Sequence, residues 1–251
     1  CHRCGVGGSA IDFVMRVRGV QYAEAIRWLR KNSSTLGAYT PRAPVDETPP
    51  LEMTPAHIEL MGRVVDYYHR VFLQSPIAQK YVAARGLDDP ELLSTFKVGY
   101  CDRTLGSKRP ARNTPAGAKI RDLLRELTIV RPSGHEVLAG RVIFPLDDAN
   151  LIPCRLYGRA ISAEVLARHW YLEGPRGAGL FNRPAFAASS EICVTESVID
   201  AATLWRHGFR ASTACFGTNG VTDALLEAMK HHGTRRVLVC FDPDDAGNAG
   251  A

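Results

Sequence analysis

Asp242 and Asp244 stand on either side of Pro243, directly after the apolar run Val237-Leu238-Val239-Cys240-Phe241. Side chains two apart on an extended chain project the same way, so both carboxylates face one point. Paired carboxylates at the end of a buried strand repel each other and lose hydration unless a cation lies between them. A divalent metal such as Mg²⁺ meets that need with hard oxygen ligands. Capping of a following helix is the other use of such residues, because Asp accepts hydrogen bonds from the free N–H groups of a helix start.

A second acidic position separates these readings. The apolar run Ile192-Cys193-Val194-Thr195 ends on Glu196 and passes into Ser197 to Trp205, where Val198, Ala201, Ala202, Leu204 and Trp205 lie mostly on one side of a helix. Asp200 falls one helical turn beyond Glu196, as a further ligand, a base or a cap. A third run, Ala211 to Phe216, ends at Gly217-Thr218-Asn219-Gly220, and Val221 to His231 reads as another helix. Strand and helix thus alternate three times, which predicts a parallel sheet with right-handed crossovers and a ligand site at the carboxyl ends of its strands. Glu196, Asp242 and Asp244 all fall at such ends, which favours metal over cap.

The amino end carries different chemistry. Cys1-His2-Arg3-Cys4 precedes the glycine knuckle Gly5-Val6-Gly7-Gly8, a spacing that supplies half of a tetrahedral zinc site. A redox pair is the competing use, but such a pair follows a strand, and none precedes this one. Residues 32–55 are rich in Pro, Ser and Thr and read as a flexible tether. From Pro55 to Leu73, Ile58, Met61, Val64, Val65, Tyr68 and Phe72 recur at helical spacing and predict a core-facing stripe.

With 251 residues, 45% of them hydrophobic, the chain is large enough for two modest cores. No apolar run approaches the roughly 20 residues that cross a bilayer, so no membrane partner is expected. Cys193, Cys215 and Cys240 lie in apolar strands and read as buried thiols of a reducing cytoplasm. The net charge of +5 is unevenly spread: Arg103, Lys108, Arg109, Arg112, Lys119, Arg121 and Arg125 crowd the middle, followed by Arg141, Arg155, Arg159, Arg168, Arg176 and Arg183. A basic face beside a carboxylate centre suits a polyanionic substrate, although about half of these arginines are accounted for as an ordinary solvated surface.

Glu196 with Asp200, the Gly217-Thr218 turn and Phe241-Asp242-Pro243-Asp244-Asp245-Ala246-Gly247 together resemble the Toprim domain of primases, topoisomerases and some nucleases. Cys1 and Cys4 with Ile11-Asp12-Phe13 resemble the second half of the zinc-binding domain of bacterial DnaG-type primases. Arg85-Gly86-Leu87, the strand Gly140-Arg141-Val142-Ile143-Phe144-Pro145, Tyr157-Gly158-Arg159 and Tyr171-Leu172 resemble further motifs of the same family in the same order. The resemblance implies an α+β architecture, with the C-terminal half of a zinc-ribbon domain over 1–31, a linker over 32–55, a mixed α/β primase subdomain over 56–170 and a Toprim parallel-sheet domain over 171–251. It also implies that the chain is a fragment, since the other two zinc ligands would precede residue 1 and the last helix would run past Ala251.

The implied activity is synthesis of short RNA primers on single-stranded DNA from nucleoside triphosphates. Glu196, Asp242 and Asp244 would hold Mg²⁺ or Mn²⁺, with Asp200 assisting; Cys1 and Cys4 would hold part of a structural Zn²⁺ site. Arg141 and Arg159 would neutralise nucleotide or template phosphates. A monomer is expected, with a replicative helicase docking through a region outside the chain. Trp170 and Asp148-Ala149-Asn150 stand where the family usually has lysines, Asp245 replaces a basic residue and Ser197 a glycine, which would relocate phosphate contacts to Arg155, Arg168 or His169. A Toprim nuclease or topoisomerase would use the same acids but would not carry the zinc knuckle, and a non-catalytic zinc and single-strand-binding accessory protein would not need Glu196 or Asp242.

Overall fold

The computed structural model describes residues 52–108, 113–173, 179–216 and 220–242, with 14, 15, 17–21, 24, 25, 27 and 28 of the N-terminal part. The chain divides into two compact units, 1–49 and 50–251. In the first, helical residues up to Arg18 end at Gly19, whose φ of 64° a side chain would resist. The Val20 N–H closes that end on the Met15 carbonyl, and Val14 and Ala25 are buried. Cys1, Cys4, the Ile11-Asp12-Phe13 motif and residues 32–51 of the proline-rich tether lie outside the described residues, and the last stretch assigned to the tether, 52–55, instead leads into and starts the first helix of the second unit.

The second unit opens with helix α1, Pro55–Leu73, whose start is set locally. Pro55 sits in its first turn, and Thr54 and His57 cap each other's backbone N–H groups. Met61, Val64, Val65, Tyr68 and Phe72 of the predicted stripe are buried, and His57 Nε2 meets Glu126 Oε2 at 2.7 Å. Two short helices follow, α2 (Pro76–Ala83) and α3 (Pro90–Thr95), each with Pro in its first turn and capped by Ser75 and Asp89. Strand β1 (Gly99–Tyr100), helix α4 (Pro115–Glu126) and strands β2 (Arg141–Asp147), β3 (Pro153–Ala160) and β4 (His169–Tyr171) complete an antiparallel sheet in the order β1-β2-β3-β4.

Both faces of that sheet are covered. Ile143 and Leu156 pack against Met61, Val64 and Leu124 of α1 and α4 on one side. Val142, Phe144 and Tyr157 pack with Phe72, Phe181 and the next helical layer on the other. Burial on both sides explains why β2 reads as a nearly continuous apolar run instead of an alternation.

Helix α5 (Ala185–Ala188) leads into the predicted parallel part: β5 (Glu191–Thr195), α6 (Val198–Arg206), β6 (Ser212–Ala214), α7 (Asp223–His231) and β7 (Arg236–Cys240). The strand order is β6-β5-β7, all parallel, as the alternation of strand and helix requires. Ile192 and Val194 of β5 pack on Phe186, Leu225 and Ala228, while Val198, Ala201, Ala202 and Trp205 of α6 join the core of the antiparallel sheet. Cys193 and Cys215 are buried as expected. Cys240 is not: β7 is an outer strand, and all five of its residues are exposed. No described helix is long and apolar enough to cross a membrane.

Candidate active site

The parallel sheet sends its acids to one end. Glu196 directly follows β5, Asp242 follows β7 after one residue, and Thr195 is paired with Cys240, so the two strand ends rise side by side. The backbone N–H of Asp242 donates to Glu196 Oε1 at 3.0 Å, which orients the glutamate carboxylate toward its neighbour. Asp244, Asp245 and the Gly217-Thr218 turn lie outside the described residues.

Ser197 is the N-cap of α6. Its Oγ accepts the Asp200 N–H at 3.4 Å, and its hydroxyl donates to Asp200 Oδ2 at 2.5 Å. Ser197 therefore fixes Asp200 on the first turn of the helix, and Asp200 lines the same cleft as Glu196 and Asp242. Among the described residues, no three Asp, Glu, His or Cys side chains converge on one point. Glu196 and Asp242 are the adjoining pair, and an all-carboxylate donor set suits a hard divalent cation.

The rest of the lining of this cleft, about 350 Å³ in volume, is cationic and aromatic: Arg85 after α2, Arg159 from β3, His169 and Tyr171 from β4, and Phe216 after β6. Each group is held from behind. Arg159 Nε donates to Tyr81 Oη at 3.3 Å, and Arg85 lies 4.9 Å from the centre of the same Tyr81 ring. Tyr157 Oη and His169 Nδ1 are 2.8 Å apart, and Tyr171 meets Phe216 edge to face at 4.6 Å. Burial holds the His169 pKa below its usual value; Arg159, Arg85 and Arg168 push the same way and Asp200 opposes them, so the imidazole is neutral at pH 7. Burial also pushes the Tyr171 phenol well up.

The other predicted cations are not brought to the cleft. Arg141 is buried on the other face of the antiparallel sheet, where its terminal nitrogens donate to the carbonyls of Ala139 at 3.2 Å and Ala167 at 3.1 Å. Those bonds hold its guanidinium on that face, away from the cleft. Arg155 Nε donates to Leu172 O at 2.9 Å and its guanidinium stacks 5.7 Å from Phe216, so it braces the aromatic wall. Arg168 is exposed, and its charge is felt at His169. Sequence reasoning assigned no site role to Arg85, Tyr171 or Phe216. The alternation His169-Trp170-Tyr171 on a strand was the available signal for Tyr171, whereas Arg85 reaches the cleft only through tertiary packing.

A Toprim-like family profile matches residues 193–251. Over the whole chain the sequence is 26% identical to a DNA primase of Pasteurella multocida, covering 44% of that protein. It is 23% identical over 98% of its length to a DNA primase of Aquifex aeolicus, covering 49% of it. The chain thus spans about half or less of the length of these relatives. Its fold is similar to the zinc-binding and RNA polymerase domains of the Aquifex aeolicus primase, with a TM-score of 0.63, 23% identity and coverage of 100% of this chain and 61% of that one. It is also similar to a DnaG primase catalytic domain bound to single-stranded DNA, with a TM-score of 0.63, 21% identity and coverage of 77% and 65%.

Proposed function

We infer that this chain, a relative of the DnaG-type DNA primases along its whole length, is the polymerising part of an enzyme that makes short RNA primers on single-stranded DNA. The observation that carries this reading is one cleft lined by both kinds of group: Glu196, Asp200 and Asp242 together with Arg85, Arg159, His169 and Tyr171. Joining a nucleotide to a primer end needs that division of labour. Carboxylates gather the divalent cation, and guanidinium groups neutralise the incoming triphosphate.

Glu196 and Asp242 would hold Mg²⁺ or Mn²⁺, with Asp244 as the next donor of the set. Held by these residues, such an ion would supply Lewis acidity toward the primer 3′-hydroxyl and the leaving pyrophosphate. Asp242 contributes both its carboxylate and the N–H that aims Glu196. Asp200 is a base or an additional oxygen donor, pre-set by Ser197. Arg159 and Arg85 receive the phosphates with little loss of freedom, because Tyr81 already holds both. Tyr171 and Phe216 offer ring surface to the nucleotide. His169, neutral and tied to Tyr157, offers a hydrogen-bonding group and no fixed charge.

The amino-terminal Cys1-x-x-Cys4 would contribute to a structural zinc site that contacts the template, and nucleoside triphosphates and single-stranded DNA are the substrates. The test is primer synthesis by the full-length protein on single-stranded DNA with Mg²⁺ or Mn²⁺ and labelled ribonucleotides. Short template-dependent RNA is the expected product. Its absence, together with metal-dependent nicking of plasmid DNA, would replace this reading with a nuclease.

A further inference from the structure

Trp170 belongs to the same strand as two cleft residues but does not face the cleft. His169 and Tyr171 line it, so strand alternation sends Trp170 to the other side of the antiparallel sheet, where its ring is 39% exposed. There the Arg141 guanidinium lies beneath the indole, 5.8 Å from the ring centre. Gly158, paired with Trp170 across β3 and β4, makes room for this arrangement: a Cβ on it would come within 2.8 Å of Leu138 Cδ2 and 2.9 Å of Arg141 Cδ.

Arg141 itself is only 9% exposed, and its Nε is a buried donor that has no partner among the described residues. Two backbone carbonyls hold its terminal nitrogens, yet no described carboxylate pairs with its charge. Burial lowers its pKa; Cys101 opposes that shift and the charge of Arg131 adds to it. A buried cation without an anion is unfavourable by itself. Its location directly under an exposed indole gives it a use.

We propose that Trp170, backed by Arg141, is a stacking platform for one base of single-stranded DNA, on the face of the antiparallel sheet turned away from the acidic cleft. The indole is polarised by the guanidinium on its inner side and offers its outer side to a ring, a contact every base can make. The phosphates flanking that base bring negative charge to this face, where Arg141 has only carbonyl partners and Arg168, two residues before Trp170, is exposed. A duplex keeps its base faces stacked and cannot use the site. An apolar protein partner would cover the ring but leave the guanidinium without an anion.

This inference rests on the primase reading for its substrate, and the experiment separates the two. Binding of a short labelled oligothymidylate to the full-length protein is followed by fluorescence anisotropy, alongside primer synthesis. Trp170→Leu should weaken binding about 10-fold, while Trp170→Phe keeps most of it. The slope of affinity against salt should stay the same, because no phosphate contact is removed. Quenching of tryptophan emission by the oligonucleotide should fall in Trp170→Leu, and affinity for duplex DNA should not change. Trp170→Leu binding single strands as tightly as the unsubstituted protein, or losing duplex affinity equally, would overturn the platform. Primer synthesis without Trp170-dependent binding sinks this inference alone; Trp170-dependent binding without synthesis sinks the primase reading alone.

Discussion

The acidic side of the cleft comes from the ends of parallel strands, and the cationic side mostly from the end of β3 and the outer strand β4 of the antiparallel sheet. Asp242 is exposed and tied to Glu196 through one backbone hydrogen bond, so the acids can adjust to an ion. Arg159, His169 and Tyr171 are instead fixed by Tyr81, Tyr157 and Phe216, each a ring braced from behind. For the proposed primer synthesis, adjustable acids beside preorganised cationic groups suit a reaction whose charge sits on phosphates. The comparison predicts that substitutions on the acidic side abolish chemistry, whereas those on the other side weaken substrate binding.

The largest effect belongs to Asp242→Ala, which should reduce primer synthesis by about 100-fold or more while the thermal melt is kept or improved, because a repelling carboxylate is removed. Activity equal to the parent would remove the acidic wall from the account. Arg159→Ala should raise the KM for nucleotide about 10-fold and change kcat less, since a charge-assisted contact to bound phosphate is lost. A fall in kcat alone would move Arg159 from binding to chemistry and blur the contrast between the walls.

Smaller effects test the scaffold. Gly158→Ala should destabilise the protein by about 2 kcal/mol, read from denaturant unfolding, because the new Cβ collides with Leu138 and Arg141. Asp147 is a carboxyl away from the cleft, and its pKa is raised to about 6 by burial and by Asp148, against the pull of Arg183. The folded state therefore keeps this proton to higher pH than the unfolded chain, and stability from this group is lost as pH rises from about 4 to about 6. Asp147→Asn, which stays neutral, should gain melting temperature relative to the parent across that window in scanning calorimetry. A constant difference would show that Asp147 ionises normally.

The acidic wall was legible in the sequence because parallel strands place their carboxyl ends together, so Glu196 and Asp242 could be located by counting strands. The same alternation predicted the order of β5, α6, β6, α7 and β7, and helical spacing located α1 with its buried stripe. The cationic wall was mostly not legible. Arg141 pairs with Ala160, one residue beyond Arg159, so the two arginines point to opposite faces, and only the register of β2 on β3 reveals it. Arg85 lies far away in sequence and arrives through packing of α2 on the shared core. Cys240 was read as buried from its apolar neighbours, but among the described residues β7 is an outer strand and Cys240 is exposed.

The central claim is that Glu196 and Asp242 form the cation-binding wall, and Mn²⁺ binding measured by electron paramagnetic resonance tests it without any need for substrate. The unsubstituted protein should bind Mn²⁺ in competition with Mg²⁺, and Glu196→Gln should lose most of that affinity while retaining its fold. Equal Mn²⁺ affinity in Glu196→Gln would contradict the account.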